Sequence, residues 1–254
     1  MGFHDVICVL AAGHIALIKL SSQDQKLIPF LLNKLTEIEP AFADQFRLVA
    51  KLEGYDAVIA TGSNNTSRYF EYYFSKVPHI IRKNRNSVAI LNGTETAEEL
   101  EALGKDIFDY FGLGCRNVSK LYVPKGYQFD TFFQSLDKFK PVIDHHKYHN
   151  NYDYNKSILL VNREDHLDNG FLLVKRDERL ASPLAVLHYE EYESPEAVKA
   201  KLDNKSSEIQ CVVSNTDSDI FSFSFGQAQY PKLWDYADGI DTMKFLTGLG
   251  MADH

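Results

Sequence analysis

Tyr55-Asp56-Ala57-Val58-Ile59-Ala60-Thr61-Gly62-Ser63-Asn64-Asn65-Thr66 is the stretch whose reading decides the fold. The run over 55–60 predicts a strand, because its apolar residues are bounded by turn formers. Thr61-Gly62-Ser63 predicts a tight turn, and the aromatic-rich segment 67–74 predicts a helix. Strand, small-residue turn and helix together make a βα unit. Upstream, an N-terminal helix leads to a turn at Gly13-His14 and a strand over 15–20. Ser21-Ser22-Gln23-Asp24 offers caps for a helix over 25–37, whose Leu27, Ile28, Leu31, Leu32 and Leu35 fall on one face. A short strand over 46–49 follows. Downstream, strands are expected at 79–81, 87–91, 120–123, 157–161, 171–175, 184–188 and 209–214. Helices are expected at 97–111, 129–139 and 195–203. Helices alternating with apolar strands define an α/β class with mostly parallel sheets. The softest segment is the polar run 144–155.

Composition excludes several classes. The 254 residues carry a net charge of -8 and scatter their 27 lysines and arginines, so nucleic-acid binding through a basic face is not expected. The three cysteines, Cys8, Cys115 and Cys211, include no Cys-x-x-Cys pair. That count suits free thiols in a reducing, cytoplasmic setting better than a disulfide framework. The stretch 6–20 is apolar, but His4 and Asp5 precede it and His14 interrupts it, which fits neither a signal peptide nor a membrane span. The Asn-x-Ser/Thr triplets at Asn92 and Asn117 read as chance matches.

Gly112-Leu113-Gly114-Cys115-Arg116-Asn117 places a cysteine at a glycine-rich turn between a helix and a strand. Such a turn leaves sulfur room to meet a carbonyl. A buried core cysteine is the competing reading. A nucleophilic thiol needs a lowered pKa, since an unperturbed one at ~8.5 is a few per cent thiolate at neutral pH. Arg116 and nearby helix ends are candidates for lowering it. Cys8 and Cys211 lie in apolar segments and read as core residues. The Thr61-Gly62-Ser63 turn can present backbone amides to an anion, although it is no GxGxxG fingerprint. Lys19 closes a strand at the expected carboxyl edge of a sheet, where it could meet a ribose hydroxyl or phosphate or simply face solvent. Asp144-His145-His146 with His149 resembles a metal-ligand cluster, but its spacing matches no zinc signature and a polar loop is the alternative.

Taken in order, these pieces resemble the aldehyde dehydrogenase superfamily, most closely its acyl-CoA reductase (LuxC-like) branch, similar to the fatty-acid reductase of bacterial bioluminescence. Leu10-Ala11-Ala12-Gly13-His14 through Lys19-Leu20-Ser21-Ser22 looks like the segment whose lysine contacts the adenosine ribose or 2′-phosphate. Thr61-Gly62-Ser63 looks like the turn beside the cofactor, and Gly114-Cys115 looks like the nucleophile turn. Arg82-Lys83-Asn84-Arg85-Asn86-Ser87 and the tail containing Phe225-Gly226-Gln227-Ala228-Gln229 look like branch features. The likeness covers essentially the whole sequence.

The resemblance implies an aldehyde dehydrogenase-like α/β fold. A partial Rossmann-like NAD(P)-binding domain would span 1–91, a catalytic cysteine domain 92–224, and a tail 225–254 would return to the cofactor domain. It implies NADPH- or NADH-dependent reduction of acyl-CoA to aldehyde through a thioester on Cys115. Lys19, Gly62 and Ser63 would bind the cofactor, the Cys115 amide would serve as one oxyanion donor, no metal is implied, and relatives self-associate. Two departures matter. The superfamily's general-base glutamate segment is replaced by Arg82-Lys83-Asn84, which disfavours hydrolytic release of acid. Near Pro183, Arg179 falls where the ribose-binding glutamate is expected, so that role is not carried over. The family region before Gly2, with its oxyanion-hole asparagine, has no counterpart here. Loss of such a donor costs ~10²–10³ in rate elsewhere. The alternative is therefore a truncated, catalytically inactive fragment acting as a binding module.

Overall fold

The computed structural model describes residues 2–22, 24–216 and 220–249. Gln23 and the last five residues of the expected tail lie outside the described residues. In chain order the elements are α1 (Phe3–Ala11), β1 (Ala16–Ile18), α2 (Leu27–Ile38), β2 (Phe46–Leu48), β3 (Val58–Thr61), α3 (Asn64–Phe74) and β4 (His79–Arg82). They continue with β5 (Asn86–Ile90), α4 (Ala97–Phe108), β6 (Val118–Pro124), α5 (Asp130–Ser135), α6 (His146–Asn162), β7 (Leu167–Asp168), β8 (Leu173–Arg176) and β9 (Val186–Tyr192). The last are α7 (Pro195–Asn204), β10 (Ile209–Val213) and α8 (Thr242–Gly248). The chain divides into two compact units, one of residues 1–84 with 239–254 and one of residues 85–238.

The first unit holds two parallel strand pairs, β1 with β2 and β3 with β4. Its tie across sequence is an ion pair. The Arg82 guanidinium donates to both Asp5 carboxylate oxygens, at 2.7 and 3.3 Å, and to Thr242 Oγ1 at 2.9 Å. Arg82 is buried, so this fork satisfies a charge that would otherwise be costly to desolvate. It joins the start of α1, the end of β4 and the start of α8. Cys8 is buried beside it.

The second unit is a six-stranded sheet in the order β10-β5-β6-β9-β8-β7, parallel except where the short edge strand β7 pairs antiparallel to β8. Ser87-Val88-Ala89-Ile90-Leu91 shows why the central strands read as nearly unbroken apolar runs. Ala89 and Leu91 join a core under α4, α5 and α6, while Val88 and Ile90 join one under α7. A parallel sheet covered on both faces needs apolar residues at every position. α4 starts with a capping box in which Thr96 Oγ1 accepts from Glu99 N and the Glu99 carboxylate accepts from Thr96 N.

Four expectations are corrected. The segment 157–161, expected as a strand, and residues 146–155 of the soft run form one helix, α6. Tyr148, Tyr152, Asn155 and Leu159 make its buried stripe at helical spacing, and burial of that stripe outweighs the β propensity of Ile158 and Val161. The helix expected to 111 stops at Phe108, because Tyr110, Phe111 and Gly112 all adopt left-handed backbone. The helix expected at 129–139 breaks after α5 into a 3-10 segment over Asp137–Asp144 containing Pro141. In α2, Ile28 and Leu32 are buried but Leu27 is exposed, so the inward face is narrower than expected.

Candidate active site

Cys115 is exposed and lies in the turn between α4 and β6. It lines a pocket of about 240 Å³ shared with Arg85, Asn86, Tyr148, Ser182 and Pro183, among others. Most of these residues stand at the amino ends of β5, β6 and β9 or in the turns leading into them. Ligands in open α/β sheets are usually held at the carboxyl ends. Here the nucleophile candidate precedes its strand, so the pocket forms at the opposite edge.

Asn117 builds the turn. Its Oδ1 accepts from Gly114 N at 2.7 Å, and its Nδ2 donates to the carbonyls of Asp109 (2.9 Å), Asp106 (3.1 Å) and Ile107 (3.3 Å). One buried amide thus closes the turn and satisfies the last carbonyls of α4, which have no intrahelical partner. Asn117 N also donates to Gly114 O at 3.0 Å. From the neighbouring strand, Ser87 Oγ donates to Cys115 O at 2.8 Å and lies 3.0 Å from Cys211 Sγ. Cys211 is buried, as expected, and burial pushes its thiol up to about 11.

The turn is strained. Tyr110 and Phe111 have φ of 55° and 59°, and Gly112 continues at 69°. Left-handed backbone costs a non-glycine residue ~1–2 kcal/mol, so the surrounding contacts must hold these two in place. Gly112 is suited to its position because it lacks a Cβ.

The Cys115 thiol lies above its ordinary pKa. Burial is the largest cause: although the residue is exposed, protein packed around the pocket withdraws water from the sulfur. The Arg116 charge opposes this, as do the backbone amides of Cys115 and Arg116, which bond the sulfur, while the Asp238 charge adds to the rise. Helix ends were expected to help, but the helix entering this turn is α4, whose carboxyl end carries the negative pole and does not favour a thiolate. Arg116 is spent partly on the carbonyls of Ala228 at 3.2 Å and Asp235 at 3.4 Å and lies over the Phe223 ring. The expected lowering of the thiol therefore does not hold in the free protein.

The other candidates belong to the first unit. Lys19 follows β1, is exposed, and has no side-chain partner among the described residues. Gly62 N donates to Arg82 O at 3.1 Å, and a Cβ on Gly62 would meet Thr66 Cβ at 3.0 Å and Phe70 at 3.1 Å. Ser63 is the N-cap of α3: its Oγ accepts from Thr66 N at 3.3 Å and pairs with Thr66 Oγ1 at 2.9 Å. In this βα turn the Ser63 hydroxyl and the Gly62 amide are both already engaged within the first unit.

No group of three or more His, Cys, Asp or Glu able to hold a metal occurs among the described residues. His145 caps α6 and stacks on Phe111, and His149 faces Asp153 at 3.3 Å. No described helix is long and apolar enough to cross a membrane.

Sequence reading missed three residues. Asn117 was discounted as a chance glycosylation triplet. Arg82 was noted only as the replacement for a glutamate. Asp106 is fully buried on α4 and accepts from Gly226 N at 2.6 Å and Ala228 N at 3.0 Å, which holds the 225–229 segment. A charged residue on the apolar face of α4 was the available signal for Asp106.

The whole arrangement has the aldehyde dehydrogenase-like fold. A candidate aldehyde dehydrogenase from Burkholderia cenocepacia matches 85% of this chain and 55% of its own length, with a TM-score of 0.63 at 16% identity. The NAD-dependent aldehyde dehydrogenase of Sinorhizobium meliloti matches 84% of this chain and 51% of its own length, with a TM-score of 0.63 at 10% identity. An E. coli NADP-dependent enzyme matches 84% of this chain and 53% of its own length, with a TM-score of 0.60 at 15% identity. The chain thus spans about half the length of these solved structures. No protein-family model and no curated protein matches it.

Proposed function

We propose that this protein reduces an acyl-CoA, of fatty-acyl type, to an aldehyde through a thioester on Cys115, with NADPH or NADH as reductant. The observation that carries the reading is the pinned, solvent-open Cys115 in a pocket whose lining contains no Asp, Glu or His among the described residues. The Cys115 sulfur attacks the thioester carbonyl, and CoA leaves as its thiolate. The backbone amides around the sulfur favour the charged nucleophile, and the Cys115 amide serves as an oxyanion donor. The acyl group is then held as an enzyme thioester. A reduced nicotinamide, when bound, would supply a hydride to the acyl carbon; the carbon–sulfur bond then breaks, so that the aldehyde leaves and the sulfur returns to Cys115 as a thiolate. Lys19 and the Gly62-Ser63 turn would lie against the cofactor, with Lys19 and the Ser63 amide as the donors to its phosphates or ribose, since the Gly62 amide is already bonded to Arg82 O.

The pocket lining supports reduction over hydrolysis. Release of an acid requires a base to activate water; no Asp, Glu or His lines the pocket among the described residues, and Asp238, whose charge reaches the sulfur, is paired with Arg85 at 3.3 Å. Arg82, at the place of the superfamily glutamate, is committed to Asp5 and Thr242. Solved structures with this fold include NAD- and NADP-dependent enzymes, which supports a nicotinamide reductant.

Incubation with acyl-CoAs of graded chain length and either reduced cofactor tests the proposal. Aldehyde should form with the parent chain and be abolished by Cys115→Ser. Aldehyde formation that survives Cys115→Ser overturns the role of Cys115. Acyl-CoA or nucleotide binding with no aldehyde formed favours the binding-module alternative instead.

A further inference from the structure

We propose that His145 is a positioning residue for Cys115, acting through a ring stack that holds the strained turn before it. The Phe111 and His145 rings lie face to face, with centroids 3.8 Å apart and planes 15° from parallel. Phe111 is the second of two non-glycine residues in left-handed backbone, and Cys115 follows it by four positions. On the other side, His145 is the N-cap of α6: its Nδ1 accepts from Tyr148 N at 3.4 Å. Tyr148 lines the Cys115 pocket and fixes its own hydroxyl on Phe171 O at 2.9 Å.

One imidazole therefore touches Phe111, which immediately precedes the pocket residue Gly112, and caps the helix that carries the pocket residue Tyr148. The left-handed conformations at Tyr110 and Phe111 are unfavourable for residues with a Cβ and persist only where neighbours over-determine them. Leu113 N donates to Tyr110 O at 3.2 Å, and Asn117 holds the Asp109 carbonyl. Neither contact engages the Phe111 side chain, which is 42% exposed and rests on His145. Aromatic pairs attract beyond the area they bury, so the stack on His145 is a contact that can hold Phe111 against this strain. Removing the ring lets the turn relax toward right-handed backbone. The sulfur then regains water, while the packing that aims it is lost.

Three variants separate the stack from the cap. His145→Phe keeps a flat ring and loses the cap acceptor, His145→Asn keeps a cap acceptor and loses the ring, and His145→Ala loses both. The measurement is the alkylation rate of Cys115 by iodoacetamide at neutral pH, read by mass spectrometry of the peptide that contains it. Burial is the largest cause of the thiol's resistance to ionisation, so a relaxed turn exposes a more reactive sulfur. His145→Ala and His145→Asn should alkylate at least fivefold faster than the parent chain, and His145→Phe should stay within twofold.

Rescue by phenylalanine is the result that a merely structural cap would not give. Equal rates for the parent chain and His145→Asn overturn the proposal, as does a His145→Phe rate as high as that of His145→Asn. These outcomes hold even if His145→Ala does not fold. The inference shares Cys115 with the proposed function, but alkylation needs neither acyl-CoA nor nicotinamide. Either reading can therefore fail alone.

Discussion

Two glycine turns carry the candidate chemistry of this chain, and they are built in opposite ways. At Gly62-Ser63 the chain passes from strand to helix. The serine spends its hydroxyl on starting α3, and the glycine is needed where a Cβ would press on Thr66 and Phe70. At Gly112–Cys115 the chain passes from helix to strand. Asn117, just ahead of β6, closes the turn locally on Gly114, but Ser87 binds it from a neighbouring strand and His145, just ahead of α6, stacks on Phe111. The first turn is nearly self-sufficient. The second is a tertiary construction that stores strain beside a reactive sulfur.

The largest expected effect breaks the second turn. Asn117→Ala orphans Gly114 N, the α4 carbonyls of Asp106 and Ile107 and the carbonyl of Asp109 just past the helix, four groups that the amide serves in a buried place. A cost of about 3–5 kcal/mol follows from leaving several of them unsatisfied. Chemical denaturation of the parent and variant measures it. A cost under 1 kcal/mol would show that the turn stands without Asn117.

Next comes the pH dependence of Asp106, whose carbonyl lies under the Asn117 amide. Burial raises its carboxyl to about 6, against the two amides that favour the charged form. In the unfolded chain this group titrates near ~4. The folded state therefore binds the extra proton between those values, and the stability contributed is complete below ~4 and lost as pH rises toward ~6. The loss amounts to about 3 kcal/mol. Stability of the parent chain relative to Asp106→Asn should fall by that order between pH 4 and pH 7. A constant difference would mean the two amides keep the carboxylate charged throughout.

The smallest effect sharpens the comparison from the other side. Ser63→Ala removes an exposed N-cap and should cost ~1 kcal/mol in thermal or chemical denaturation. Cys115 alkylation should stay at the parent rate. A changed alkylation rate would tie the two turns together in a way their local hydrogen bonds do not.

Much of the layout was legible because local patterns and burial agree. The apolar run 87–91 reads as a strand, since both faces of β5 are covered. The βα unit at Thr61-Gly62-Ser63 reads correctly because its cap is three residues from its acceptor. α6 is hard to read from the sequence, because its many polar residues and the β-branched Ile158 and Val161 mask its period. The Tyr148, Tyr152, Asn155 and Leu159 stripe was present in the sequence, but two tyrosines and an asparagine do not register as a core face. Their hydroxyl and amide groups are satisfied by Phe171 O, Asp168 and Leu184 O, partners visible only in the fold.

The sequence by itself determined the α/β alternation, the cysteine in a glycine turn and the absence of a basic face, since periodicity, backbone freedom and net charge are properties of neighbours along the chain. Tertiary structure decided that Asn117 is the keystone of that turn, that Arg82 answers Asp5 from 77 positions away, and that the Cys115 thiol is raised rather than lowered. The Arg82 pair rests on partners distant in sequence and the thiol on burial, while the Asn117 side chain meets its nearby partners only once α4 has ended and the turn has folded back on it. Desolvation in particular is set by all the atoms packed around a group, so Arg116 beside the sulfur did not predict the outcome.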